Sequence, residues 1–310
     1  MLSIITIVVP IFALIAAGFG CRRFNLLGVT AATELTRFVI YLALPALLFQ
    51  TMATTRWQQL NQPGFIAAFS IGVAVVFIAS LWWRMRNRRH LADGAIDSLN
   101  AAYANVGFIG FPLCFMALGQ AGLAPAIIAT IITVCILFAV AVAMIEFSLQ
   151  QERRPLLAFI KVARALSRNP LLLAPLLGAL WNLSGIALPD AITSLLKLLG
   201  AAASPCALVS LGAFLAAKQA TRAGAGVPVL VLLKLLLQPA ITWLLAFHVF
   251  TMPIAWANAA LLLAALPTGT GPYMLAELYK REAATTSSVI LSSTVASLIT
   301  LALCLGWIAR

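Results

Sequence analysis

Two stretches of this chain decide its fold: LNAAYANVGFIGFP over Leu99–Pro112 and LAALPTGTGP over Leu263–Pro272. Each sits inside an apolar run long enough to cross a bilayer, about 20 residues. Each carries glycine and proline near its middle, where they break a helix's hydrogen-bond ladder. In lipid the freed N–H and C=O groups need partners. Such breaks therefore persist only where they line a polar cavity or are buried in protein. At a shift of 160 residues, Gly107 falls on Pro267 and Pro112 on Pro272.

The shift extends outward from these stretches. Pro10 falls on Pro170, Pro45 on Pro205, Gly18 on Gly178, and Arg37 on Lys197. Apolar runs recur near residues 2–20, 36–54, 64–83, 96–118, 122–147, 169–187, 192–216, 227–250, 254–278 and 285–308. The expected fold is all-α and membrane-integral, with ten transmembrane helices. Residues 1–150 form one five-helix repeat and residues 169–310 the second, joined by a cytoplasmic linker over 151–168. Five is odd, so the second repeat enters the membrane inverted. The broken fourth and ninth helices then cross near the midplane. Inverted repeats of this kind are a recurring architecture of secondary transporters.

Composition agrees. Of 310 residues, 63% are apolar and 9% charged, against about 25% charged in soluble domains. The net charge of +12 does not point to nucleic acid, because the basic residues cluster between apolar runs. Sixteen of the twenty Lys and Arg lie in or beside the odd-numbered loops, including Arg22–Arg23, Arg84–Arg89, Arg153–Arg154 and Lys280–Arg281. By the positive-inside rule those loops are cytoplasmic and both termini extracytoplasmic. The first run has no basic n-region or cleavage site and reads as a retained helix. In the linker, Leu156, Phe159, Ile160, Ala163 and Leu166 recur at helical spacing opposite Lys161, Arg164 and Arg168. That pattern fits an amphipathic helix on the membrane surface, or a plain solvated linker.

The chemistry is sparse. Cys21, Cys114, Cys135, Cys206 and Cys304 are scattered singly, and His90 and His248 lie far apart, so no metal or disulfide set is expected. The stretch Thr268–Gly271 lacks the lysine of a phosphate-binding loop. No cofactor and no enzymatic activity are expected. The eight acids all lie in loops or near helix ends, which argues against a cation/proton antiporter built on a midplane acid pair. The candidate substrate site comprises Asn105, Gly107, Gly110, Pro112, Pro267, Thr268, Gly269, Thr270 and Pro272. There, half-helix amino ends, with side-chain donors from Asn105, Thr268 and Thr270, suit a carboxylate. Gln50, Thr51 and Thr133 are supporting polar positions. Lys234 lies about two turns into the eighth span. It either attracts the anion or props the crossing, or it snorkels to the headgroups.

At these residues the chain resembles the auxin efflux carrier family, which includes plant auxin exporters and bacterial malonate and other organic-acid carriers. The second helix carries RFV at Arg37–Val39 and LPALLF at Leu44–Phe49. The fourth carries NVGFIGFPL at Asn105–Leu113, then Gly119. The sixth opens with RNP at Arg168–Pro170 and continues to Gly178 and Trp181. The seventh holds SLGAF at Ser210–Phe214, and the ninth ALPTGTGP at Ala265–Pro272, then ELY at Glu277–Tyr279. The resemblance implies a crossover at Pro112 and the Pro267/Pro272 segment, an elevator-like motion of a transport domain against a scaffold, and a homodimer. The plant members carry a long loop where this chain has about twenty residues, which implies a bacterial inner-membrane carrier. Thr268-Gly269-Thr270 departs from the plant pattern and favours a small mono- or dicarboxylate such as malonate over auxin. Proton or Na⁺ coupling stays open. The alternatives are a bile-acid-type or cation/proton-coupled carrier of similar architecture, and a membrane receptor that moves nothing.

Overall fold

The computed structural model describes residues 2–54, 61–87, 90–149, 170–216, 224 and 226–309. The amphipathic linker expected over 151–168 lies outside them. Among the described residues there are helices and no β-strand. Among the described residues six helices are long and apolar enough to cross a membrane, and two further apolar helices are shorter.

In chain order the elements are α1 (Leu2–Arg23), α2 (Ala31–Thr54), α3 (Pro63–Arg86) and α4 (Leu91–Ala102). A π-helical turn, Val106–Gly110, leads into α5 (Phe111–Leu118). Next come α6 (Leu123–Thr130) and α7 (Phe138–Leu149), joined by a second π-helical stretch. The rest are α8 (Pro170–Leu183), α9 (Asp190–Leu215), α10 (Val227–Val249), α11 (Ile254–Ala264), α12 (Gly271–Leu278) and α13 (Ala283–Ile308).

Proline explains much of the irregularity. Three π-helical turns, Val39–Ala43, Val106–Gly110 and Leu233–Leu237, each end two residues before a proline: Pro45, Pro112 and Pro239. A proline cannot donate to the carbonyl four residues back, and its ring crowds that carbonyl. Widening the preceding turn relieves the clash without ending the helix. The run Val106–Leu149 is 44 residues long, about twice a span. Its first α-helical segment ends at Gly119, whose φ of 63° and ψ of −148° suit only glycine. Gly122 then packs on the Cys114 carbonyl, where a Cβ would collide.

The chain folds into two compact units. The first comprises Met1–Gln62, Gly107–Ile127 and Ser167–Lys218. In it α1 lies along α9, and α8 along α2. The approach is backbone-close: Gly18 abuts the Val209 carbonyl, Gly212 the Ile15 carbonyl, and Gly178 the Phe49 carbonyl. Small residues permit such contacts between membrane helices. Asn182 Nδ2 donates to the carbonyls of Met52 and Ala53, each at 3.0 Å, tying the end of α8 to the end of α2.

The second unit comprises Pro63–Val106, Ile128–Leu166 and Gln219–Arg310. Its α3 packs on α4 and α10, and α4 packs on α7. Phe65 and Phe69 stack with centroids 5.9 Å apart, and Trp256 meets Phe65 edge-on at 5.2 Å. Two ion pairs tie one end of this unit. Arg281 grips Asp93 with both arms, Nε at 2.6 Å and Nη2 at 2.8 Å, which raises the arginine's pKa. Arg84 pairs with Asp97, and both are buried. The sequence reading places Arg84 in a cytoplasmic loop. The helix α3 runs on through Arg86, and Asp97 on the neighbouring helix gives the Arg84 guanidinium a partner inside the protein.

Candidate functional site

Two interruptions meet within the second unit. α4 ends at Ala102, and Tyr103 turns extended, with φ −81° and ψ 97°. α11 ends at Ala264, and helix resumes at Gly271. Between them Ala104 and Thr268 form an antiparallel β-bridge. The Asn105 amide donates to the Pro267 carbonyl at 2.9 Å, and the Gly269 amide to the Tyr103 carbonyl at 3.0 Å. Backbone that would otherwise be unsatisfied in an apolar interior is thus paired with its counterpart. The interruption of the first stretch lies upstream of Gly107, which falls within the following π-helical turn.

A helix end leaves its last carbonyls without intrahelical partners. Here side chains from the facing break and from a neighbouring helix supply them. Thr268 Oγ1 donates to the Asn100 carbonyl at 2.8 Å, and Gln238 Nε2 to the Ala102 carbonyl at 3.3 Å. Lys234 Nζ donates to the Ala264 carbonyl at 2.8 Å. The Thr268 amide donates in turn to Ser293 Oγ at 3.1 Å. Asn100 Nδ2 donates to Thr286 Oγ1 at 2.9 Å. Lys234 and Gln238, four residues apart on α10, therefore hold the carboxyl ends of both interrupted helices. Lys234 has no exposed surface; its ammonium turns inward and does not snorkel.

The Tyr103 ring lies across the glycines of the second stretch. A Cβ at Gly269 would sit 2.9 Å from Tyr103 Cε1, and one at Gly271 2.5 Å from Cζ. Both glycines are there because the ring leaves no room for a side chain. The ring also meets Phe138 edge-on, centroids 6.4 Å apart.

The expected site residues divide between the two units. Asn105, Pro267, Thr268, Gly269, Thr270 and Pro272 belong to the second, with Thr133 and Lys234. All of these but Thr270 are buried. Gly107, Gly110 and Pro112 belong to the first, with Gln50 and Thr51. Thr51 Oγ1 bonds the Leu47 carbonyl of its own helix at 2.8 Å, as such hydroxyls often do. Three acceptors near these elements are buried without a hydrogen-bond donor among the described residues: Asn100 Oδ1, Gln238 Oε1 and Thr133 Oγ1. Sequence reading passed over Tyr103, Asn100, Gln238, Thr286 and Ser293 as contributors. Asn100 and Gln238 carried a usable signal, since an amide side chain inside an apolar run needs a polar neighbour.

The site contains hydrogen-bond donors, helix ends and one ammonium, an array suited to binding a charged solute. Comparison with known proteins identifies the family. The chain matches the membrane transport protein family over residues 3–305. It is 29% identical over 305 residues to a Rhizobium meliloti protein named "Putative malonate transporter", covering 97% of this chain and 94% of that one. It is 28% identical over 305 residues to an "Uncharacterized transporter" of Methanothermobacter thermautotrophicus, covering 96% and 95%. The chain therefore belongs to the membrane transport protein family, the auxin efflux carrier group that its own motifs resemble, and is a multi-pass membrane transporter.

Proposed function

We propose that this protein is a secondary carrier of small organic anions, mono- or dicarboxylates of malonate-like size, working by an elevator-like form of alternating access. The observation that carries the reading is the antiparallel backbone pairing of Ala104 with Thr268. Two interrupted helices joined this way place amino and carboxyl helix ends side by side in an apolar interior, the arrangement carriers use for charged solutes. The malonate named for the Rhizobium relative supports a short carboxylate as cargo.

Ten spans in two inverted five-helix repeats form the frame of this proposal. Its support is a pair of contacts in the first unit. Gly18 meets Val209, and Gly178 meets Phe49; adding 160 to 18 and 49 yields 178 and 209. The same helix–helix contact is thus made twice, by α1 with α9 and by α8 with α2. The two units draw on matching parts of each half except at Gly107–Ile127, which belongs to the first unit while its counterpart, residues 267–287, belongs to the second. In the reading, the second unit carries the substrate and the first is the scaffold. The protein sits in the bacterial inner membrane as a homodimer with both termini outside, coupled to a proton or Na⁺ gradient or to none.

Purified protein in liposomes tests this. Uptake of labelled malonate, malate or lactate that saturates, and is absent from empty liposomes, is the expected result. No uptake of any of these or of indole-3-acetate, with or without a pH or Na⁺ gradient, overturns it.

A further inference from the structure

Charge is scarce inside this protein, and it does not balance. Among the described side chains three charged ones are buried: Arg84, Asp97 and Lys234. Arg84 and Asp97 pair with each other. Lys234 is left over. Its ammonium donates to the Ala264 carbonyl, and no described carboxylate pairs with it. Two other described acids of the same unit are engaged elsewhere: Asp93 holds Arg281, and Glu146 accepts the Tyr279 hydroxyl.

A lone ammonium within a membrane span is costly to keep and marks function more often than packing. The carboxyl end of α11 offsets part of that cost, because a helix C-terminus carries partial negative charge. A neutral donor would satisfy the same carbonyl, and Gln238 does so for Ala102 one turn along the same helix. The hydrogen bond therefore accounts for a donor at position 234 but not for a charged one. The charge sits at the crossing itself, since Ala264 lies three residues before Pro267, whose carbonyl takes the Asn105 amide.

We infer that Lys234 is the fixed countercharge of the transported anion, and that the site is matched to cargo bearing a single negative charge. The inference rests on the carrier reading above. Bound to a monoanion, site and cargo together are neutral. A dianion leaves one negative charge and an uncharged analogue one positive charge, and either must then be moved through a medium of low dielectric. Monoanions are the preferred class: monocarboxylates, and dicarboxylates with one carboxyl protonated.

The test uses full-length protein in liposomes and three probes of one shape: malonamide (neutral), malonamate (one charge) and malonate. For wild type, malonamate is expected to compete with labelled malonate at least tenfold better than malonamide. Malonate uptake should rise as pH falls through its second ionisation, while malonamate uptake stays level. In Lys234→Gln, which keeps a donor and loses the charge, discrimination between malonamate and malonamide should fall at least tenfold. Discrimination that survives in Lys234→Gln overturns the inference, as does wild-type malonate uptake that falls with acidification. Should Lys234→Gln not fold, the wild-type pH comparison decides. Absence of any wild-type uptake defeats the carrier reading instead. The charge assignment is then decided by binding, read as the rise in unfolding temperature of detergent-solubilised wild type. Stabilisation by malonamate but not malonamide upholds it, and equal or absent stabilisation refutes it.

Discussion

The amide of Asn105 donates to the carbonyl of Pro267 at 2.9 Å, although 162 residues separate them in the chain. With its companion from Gly269 to Tyr103, this bond joins the two helix interruptions directly, backbone to backbone. Side chains then finish what the backbone leaves open. The crossing is consequently sensitive to changes that look mild in sequence.

Gly271→Ala is the clearest case. The added methyl would meet the Tyr103 ring at 2.5 Å from Cζ and 2.7 Å from the hydroxyl. Overpacking of this kind costs about 1–3 kcal/mol. The expected outcome is a lower unfolding temperature and reduced uptake. The double variant Gly271→Ala/Tyr103→Leu should regain stability relative to Gly271→Ala alone. A double variant no more stable than the sum of its parts would place the clash elsewhere.

Thr268→Val keeps the shape and removes the hydroxyl that bonds the Asn100 carbonyl at 2.8 Å. That carbonyl is near a helix end and buried, so losing its donor costs about 1–3 kcal/mol. Gln238→Leu should do the same to the Ala102 carbonyl. The two carbonyls belong to one helix end, so the double variant is expected to deviate from additivity. Thermal unfolding of the four proteins in one detergent measures this, and strict additivity would show that the two bonds act independently.

How much of this could be read from the chain differs between the two stretches. The second was legible, because Pro267 and the glycines around Thr268 can hardly be anything but a break. The first was only half legible. Gly107 and Pro112 mark the region, yet the helix stops at Ala102, where the sequence reads Ala-Tyr-Ala and carries no breaker. Tertiary partners end it: Thr268, Gln238 and the Gly269 amide take over its carbonyls, and none of these is visible from local propensity. The buried pair of Arg84 and Asp97 was hidden for a related reason. Each looks like a residue near a helix end, and only the register of α3 against α4 brings them together.

That pair carries its own expectation. Asp97→Asn leaves the Arg84 guanidinium buried beside a neutral amide, and breaking a buried ion pair from one side costs about 3–5 kcal/mol. Replacing both, as in Arg84→Met/Asp97→Leu, removes the two desolvation costs along with the attraction. The double variant should therefore be more stable than Asp97→Asn. Unfolding temperatures and recovery after detergent extraction would report it. A double variant less stable than Asp97→Asn would mean that the pair contributes more than its own neutralisation.

The inverted-repeat proposal can be tested on stability alone. Gly18 and Gly178 each abut a backbone carbonyl of the facing helix, Val209 and Phe49, and a carbonyl in a packed helix cannot swing aside as a side chain can. Gly18→Ala and Gly178→Ala should each cost more than about 2 kcal/mol, in the upper range of single substitutions, and by similar amounts if the two contacts are copies of one another. Gly20→Ala is the internal control. Its nearest neighbour is the edge of the Phe24 ring, at 4.0 Å from a Cβ, and alanine is the better helix former by about 1 kcal/mol. It should be neutral or stabilising. If Gly18→Ala and Gly178→Ala differ widely while Gly20→Ala behaves as stated, the two halves of the first unit are not packed as equivalents, and the argument for a common ancestral repeat loses its best structural support.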